Sequence, residues 1–68
     1  KPTRVNTALR DFRTEHGISQ GDLAGRVGVT RQTVNAIEQG KYSPSLEVAF
    51  KIAEVFGVPL TDVFFWRP

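Results

Sequence analysis

Cysteine and methionine are absent from the 68 residues, and histidine, tryptophan and tyrosine occur once each. Without cysteine there is neither a disulfide framework nor a thiolate metal site, and His16 alone builds no zinc site without several carboxylate partners. No cofactor and no metal are expected. Nowhere does the sequence approach the roughly 20 apolar residues of a membrane span, and its N-terminus lacks the apolar run of a signal peptide, so a cytoplasmic chain with no membrane partner is expected. The missing initiator methionine leads us to expect a processed or trimmed chain. There is no internal repeat, linker or low-complexity run, and the whole of 1–68 reads as one domain. That length is near the lower size at which a hydrophobic core alone holds a fold, so help from a partner subunit is anticipated.

Excess charge is scarce too, at a formal net +2, but its placement is uneven. Up to Tyr42, Lys1, Arg4, Arg10, Arg13, Arg26, Arg31 and Lys41 outnumber Asp11, Glu15, Asp22 and Glu38; beyond it, Lys51 and Arg67 are outnumbered by Glu47, Glu54 and Asp62. A basic N-terminal part fits a polyanionic partner, although asymmetry this mild also arises by chance.

What is present is a series of closely spaced helical patterns. The first runs from Thr7 to His16, capped by Asn6, with Val5, Leu9 and Phe12 on one face and Gly17 as its left-handed stop. Ser19 followed by Asp22 forms a capping box that opens a second helix, Gln20 to Val27. Gly28 turns the chain, Thr30 caps a third helix from Arg31 to Gln39, and Gly40 ends it. After the loop Lys41-Tyr42-Ser43-Pro44, Ser45 caps a fourth helix from Leu46 to Phe56, stopped by Gly57. This helix is apolar almost all round, with Leu46, Ala49, Phe50 and Ala53 in one stripe and Val48, Ile52 and Val55 in another, so two of its faces call for burial. Pro59 restarts the chain into a last turn, Leu60 to Phe64. Phe65-Trp66-Arg67 is a candidate short strand with 3–5 as candidate partner, a run too short for periodicity to decide. The expected fold class is all-α with five helices, a small terminal antiparallel ribbon being the open question.

The second and third helices carry the chemistry. Leu23, Val27, Val34 and Ile37 have the spacings of one shared core, Ala24 is small where two helices would cross, and Gly28 supplies a positive φ at the turn. Arg31, Gln32, Asn35, Ala36 and Gln39 then fall on the opposite, outer side of the third helix. A major groove about 12 Å wide admits one helix, whose N-terminal residues reach base edges. Arg31 can donate twice to guanine O6 and N7, Gln32 or Asn35 can pair both ways with adenine, and Ala36 can touch a thymine methyl. Gln20, with its amides and side chain aimed outward, is the candidate phosphate clamp, joined by Thr30 and Thr33 and, beyond the helix, by Lys41, Tyr42 and Ser43. Any two crossed helices in a small bundle need a glycine turn and a polar outside. Ordinary solvated helices favour Glu and Lys there, however, whereas this outer face is donor-rich and almost uncharged.

The pattern Gln20-x-x-Leu23-Ala24-x-x-Val27-Gly28-Val29-Thr30-x-x-Thr33-Val34-x-x-Ile37-Glu38-x-Gly40, continuing through Tyr42-Ser43-Pro44-Ser45, resembles the lambda-repressor and Cro type of helix-turn-helix regulator over nearly the whole chain. The ending Gly57-Val58-Pro59-Leu60-Thr61-Asp62-Val63-Phe64-Phe65-Trp66 resembles the small bacterial cytolysin-repressor subgroup. The resemblance implies a lambda-repressor-like five-helix bundle, a small terminal ribbon and a homodimer. It also implies an internal ion pair between an Arg of the first helix and a Glu late in the third, and Arg13 and Glu38 stand at those places. Gly21 and Gly25 depart from the pattern, each costing about 1 kcal/mol of helix propensity.

Phe64, Phe65 and Trp66 in succession cannot all face one small core. A dimer interface built from Leu60, Phe64 and Trp66, within a C-terminal segment of about 58–68 and supported by the fourth helix, is favoured over simple core closure. Catalysis is not expected: His16 and Glu15 are helix neighbours that point apart, no phosphate loop has the required spacing, and no nucleophile has an evident base. Nothing resembles a small-molecule pocket. The expected function is a homodimeric, sequence-specific transcriptional regulator, most simply a repressor, whose partner is double-stranded DNA. The alternative is a protein-interaction module such as an antitoxin component.

Overall fold

The computed structural model describes residues 3–66. Along the chain these form a strand β1 (Val5–Thr7), helices α1 (Leu9–Glu15), α2 (Gln20–Val27), α3 (Arg31–Glu38), α4 (Leu46–Phe56) and α5 (Leu60–Val63), and a strand β2 (Phe64–Trp66). The ribbon is therefore formed, antiparallel, with Val5 opposite Trp66, Asn6 opposite Phe65 and Thr7 opposite Phe64. Its first strand starts two residues later than expected and its second one residue earlier; Arg67, the expected end of the second, lies outside the described residues.

Local signals set most of the boundaries. Ser19, Thr30 and Ser45 are each extended and accept a hydrogen bond from the backbone N–H three residues on, those of Asp22, Thr33 and Val48. The capping box at Ser19 is only half made, because the Asp22 carboxylate turns along the helix to Arg26 instead, at 3.3 Å. Gly28 sits at φ 79° as the turn after α2 requires, a conformation that glycine adopts without a Cβ penalty.

The first helix starts later than expected, at Leu9, and Asn6 is a strand residue rather than its cap. Thr7 takes over: its Oγ1 accepts from the Leu9 N–H at 3.0 Å and donates to the Val63 carbonyl at 2.9 Å, so one hydroxyl starts α1 and ties it to α5. Phe64 leaves α5 at φ −125°, ψ 133° because it already belongs to the ribbon.

Leu9, Leu23, Val34, Ile37, Ile52 and Val63 form the fully buried centre, contributed by all five helices. Ala24 is buried where α2 meets α3, as the crossing needs. Of the two apolar stripes on α4, only part is used: Ala49, Ile52, Ala53 and Phe56 are buried, while Leu46 and Phe50 lie in water, Phe50 at 55% exposure. Among the described residues no helix is long and apolar enough to cross a membrane.

Candidate nucleic-acid interface

The site is organised around Glu38, at the end of α3. Its side chain is 2% exposed, and that of Arg13, on α1, is 15% exposed. Arg13 Nε donates to Glu38 Oε2 at 2.7 Å and Arg13 Nη2 to Oε1 at 3.1 Å, a two-pronged pair, while Arg13 Nη1 donates to the Ile18 carbonyl at 3.1 Å. The implied ion pair is thus made. Arg10 adds a longer contact to Oε1 at 3.8 Å. Burial alone would push the Glu38 carboxyl up; the hydrogen bonds from Arg13 and Gln20 and the charges of Arg13 and Arg10 outweigh it and hold the group below the usual carboxylate value. Such a pair adds little net stability, since desolvation opposes attraction, but its geometry pins α3 to α1.

Gln20 lies differently from the sequence expectation. Its side chain is half-buried and turned inward: Nε2 donates to Glu38 Oε1 at 3.1 Å and to Asn35 Oδ1 at 3.2 Å. Both amide hydrogens are spent, and the remaining oxygen is an acceptor, which a phosphate oxygen cannot use. As bonded here the Gln20 side chain has no N–H left for a phosphate, and Glu38, a long-range partner, is the reason. What the start of α2 still offers are the N–H groups of Gln20 and Gly21, which have no carbonyl one turn back to bond. They border a shallow groove lined by Arg13, Ser19, Gln20, Gly21 and Arg31.

The outer face of α3 carries the other expected residues. Arg31 and Gln32 are exposed at its leading end, and Asn35 and Ala36 are half-buried one turn later. Asn35 Oδ1 also accepts from Gln39 Nε2 at 3.3 Å, so a chain of amides runs from Glu38 through Gln20 to Asn35 and Gln39. Thr30 Oγ1 and Thr33 Oγ1 are 3.0 Å apart, and Thr30 also accepts the Thr33 N–H; one hydroxyl hydrogen of the pair is left to donate elsewhere. Lys41, Tyr42 and Ser43 are exposed after the helix, with the Lys41 N–H bonded to the Ala36 carbonyl at 3.1 Å. Arg31, Gln32, Asn35 and Ala36 share one surface, then, with the threonine pair at its head and the 41–43 loop at its tail.

The expected dimer residues do not stay together. Phe64 is 8% exposed and belongs to the protomer's own core, because it comes directly off the buried Val63 and closes the bundle. Leu60 is half-buried, while Phe65 and Trp66 run past the core edge into water, Trp66 at 68% exposure. Phe50, which the sequence placed in an apolar stripe of the fourth helix without naming it among the interface residues, lines a second open groove with Leu60, Val58 and Pro59, flanked by Glu47, Lys51 and Glu54. His16 ends α1 with Nδ1 donating to the Phe12 carbonyl at 2.9 Å and its ring edge-on to Phe56, which is a structural role.

Comparison with known proteins agrees with this geometry. The family model described as Helix-turn-helix matches residues 9–63. An uncharacterized HTH-type transcriptional regulator of Methanocaldococcus jannaschii is 53% identical over 63 residues, covering 93% of this chain and 96% of that protein. The cryptic phage CTXphi transcriptional repressor RstR of Vibrio cholerae is 36% identical over 58 residues, 85% of this chain and 52% of the repressor. Among solved structures, the restriction-modification controller protein C.AhdI from Aeromonas hydrophila superposes with a TM-score of 0.72 at 33% identity, covering 79% of this chain and 78% of that one. The chain belongs to the XRE-type helix-turn-helix family of DNA-binding transcriptional regulators.

Proposed function

We propose that the protein is a homodimeric, sequence-specific repressor that occupies a palindromic operator through the major groove. The observation carrying this reading is the Glu38 cluster. It fastens α3 to α1 and α2 from behind while Arg31 and Gln32 stand free of the bundle in front, which makes a rigid ridge of donors of the width one groove accepts. Arg31 takes a guanine, Gln32 an adenine and Ala36 a thymine methyl. Phosphates on either side are held by the first amides of α2, by the Thr30 and Thr33 hydroxyls, and by Lys41, Tyr42 and Ser43. The likeness to RstR, a phage repressor by its printed name, supports repression by occupancy.

The dimer uses the groove between α4 and α5. Phe50 and Leu60 supply its apolar middle, and Glu47, Lys51 and Glu54 at its border are self-complementary across a two-fold axis. Trp66 extends it, and Phe64 has no part in it. Two-fold symmetry sets the two reading helices about 34 Å apart, one turn of duplex. A duplex titration tests the reading. The regulator binds with a log-log salt slope of about −5 to −9 for roughly 6–10 neutralised phosphates, and prefers its operator to random duplex by about 10³ or more. Weak binding with no preference would point to a protein-interaction module instead.

A further inference from the structure

Resting on that reading of α3, the structure assigns a polarity to Asn35: it meets the duplex as a hydrogen-bond donor only, and so selects guanine, not adenine, at the base pair it faces. The sequence alone allowed Asn35 to pair both ways with adenine. The amide chain behind it removes that choice. Glu38 is a carboxylate fixed by Arg13, and a carboxylate only accepts. Gln20 must therefore present its NH2 group to Oε1, at 3.1 Å, and the second hydrogen of the same nitrogen falls on Asn35 Oδ1 at 3.2 Å. Gln39 Nε2 approaches that oxygen at 3.3 Å. Both lone pairs of Oδ1 are then occupied, and turning the Asn35 amide over would set its NH2 against the fixed NH2 of Gln20, whereas the exposed Gln39 amide can turn either way.

Nδ2, with two hydrogens, is the end left for a base. Guanine offers two adjacent acceptors in the major groove, N7 and O6; adenine offers N7 beside the N6 amino donor, which opposes a second donor. The sign of a charge at the rear of α3 thus travels through two amides and becomes a base preference at its front. Arg10, Arg13 and Arg26 need not touch the base for this to hold.

Selection of bound duplexes from a random pool tests it, using the intact protein and three variants. Asn35→Ala locates the base pair whose identity depends on residue 35. At that position the wild-type pool carries guanine over adenine by at least about fivefold, the equivalent of one weak discriminating contact. Asn35→Asp keeps an oxygen for Gln20 and Gln39 but loses the donor, and the guanine preference there disappears while other positions keep theirs. Gln20→Leu cuts the chain, frees the amide to turn, and raises adenine at the same position without altering the choice made by Arg31. Adenine at that position in the wild-type pool, or a guanine preference that survives Asn35→Asp, overturns the inference and leaves the regulator standing. A pool with no enriched site at all overturns both.

Discussion

The two working faces of this small bundle are completed in opposite ways. On the α2–α3 side the polar groups near Glu38 are satisfied inside one protomer: Arg13, Gln20, Asn35 and Gln39 form a connected set, and no buried side-chain polar atom among the described residues lacks a partner. On the α4–α5 side the large apolar ring of Phe50 is left in water beside Leu60, and elsewhere Leu46, Phe65 and Trp66 are exposed too. Polar order is cheap to finish locally, because an amide or carboxylate needs only two or three well-placed neighbours. Apolar area is finished only by further surface laid over it. The contrast teaches that the first face is complete within one protomer while the second leaves apolar area uncovered; we propose that the first meets DNA and that a second copy covers the other.

The sharpest way to break this contrast is to put a charge on the second face. In a two-fold interface Phe50→Glu removes two buried rings, each worth about 1.5–3 kcal/mol, so dimerisation weakens by on the order of a hundredfold or more. Light scattering at micromolar protein then reports monomers, and operator affinity falls with it. Phe50 is the better probe than Leu60, because Leu60 also packs on the protomer's core. An unchanged mass removes the interface.

Next in size is the rear of the first face. Glu38→Ala strands the Arg13 guanidinium and the Gln20 amide; with Arg13 partly able to reach water, the loss sits near the low end for a broken buried pair, about 3 kcal/mol, or a Tm lower by roughly 12–24 °C. The pH dependence has a definite sign. The folded pKa of Glu38 is lowered, so its contribution is complete above the unfolded value of about 4.3 and fades as pH falls through the folded pKa. Glu38→Gln flattens that part of the acid limb, as circular dichroism melts between pH 2 and 6 would record.

At the front of the same face, Arg31→Ala removes one bidentate contact per half-site, worth about 1–3 kcal/mol, and relaxes one base pair while leaving the fold intact. Competition binding against single-base variants of the operator checks this; equal losses on every sequence would reduce Arg31 to a phosphate contact. The smallest effect is a gain. Gly25 is mid-helix in α2 with open space where a Cβ would stand, so Gly25→Ala stabilises by up to about 1 kcal/mol with no change in operator preference. A Tm that stays or drops would show that α2 needs the glycine for another reason.

Local chemistry explains what could be read from the sequence. Ser19, Thr30 and Ser45 were legible as caps because a cap depends on the next three residues, and the outer face of α3 was legible because its period of 3.6 separates Arg31, Gln32 and Asn35 from Val34 and Ile37. The ribbon's register was not legible, since three residues carry no useful alternation and Thr7 is claimed both by β1 and by the start of α1. Gln20 went astray for a different reason. Its place at the head of α2 says outward, but a buried carboxylate 18 residues away turns it inward, and only the tertiary fold brings the two together. Phe64 likewise could be sorted from Phe65 and Trp66 only once α5 had delivered it to the core. The link between Asn35 and Gln39 was in principle visible, as an i to i+4 amide pair on one helix face.

That α3 reads bases from the major groove is tested most directly by editing a single groove atom in the selected operator. Replacing the guanine opposite Arg31 with 7-deazaguanine deletes N7 and leaves the minor groove and the phosphates untouched. The account predicts that the wild-type protein loses about 2- to 13-fold in affinity per half-site, roughly half of one bidentate contact because O6 remains, and that Arg31→Ala binds both duplexes alike. Equal binding of the two duplexes by the wild-type protein, at every guanine of the operator in turn, would contradict it.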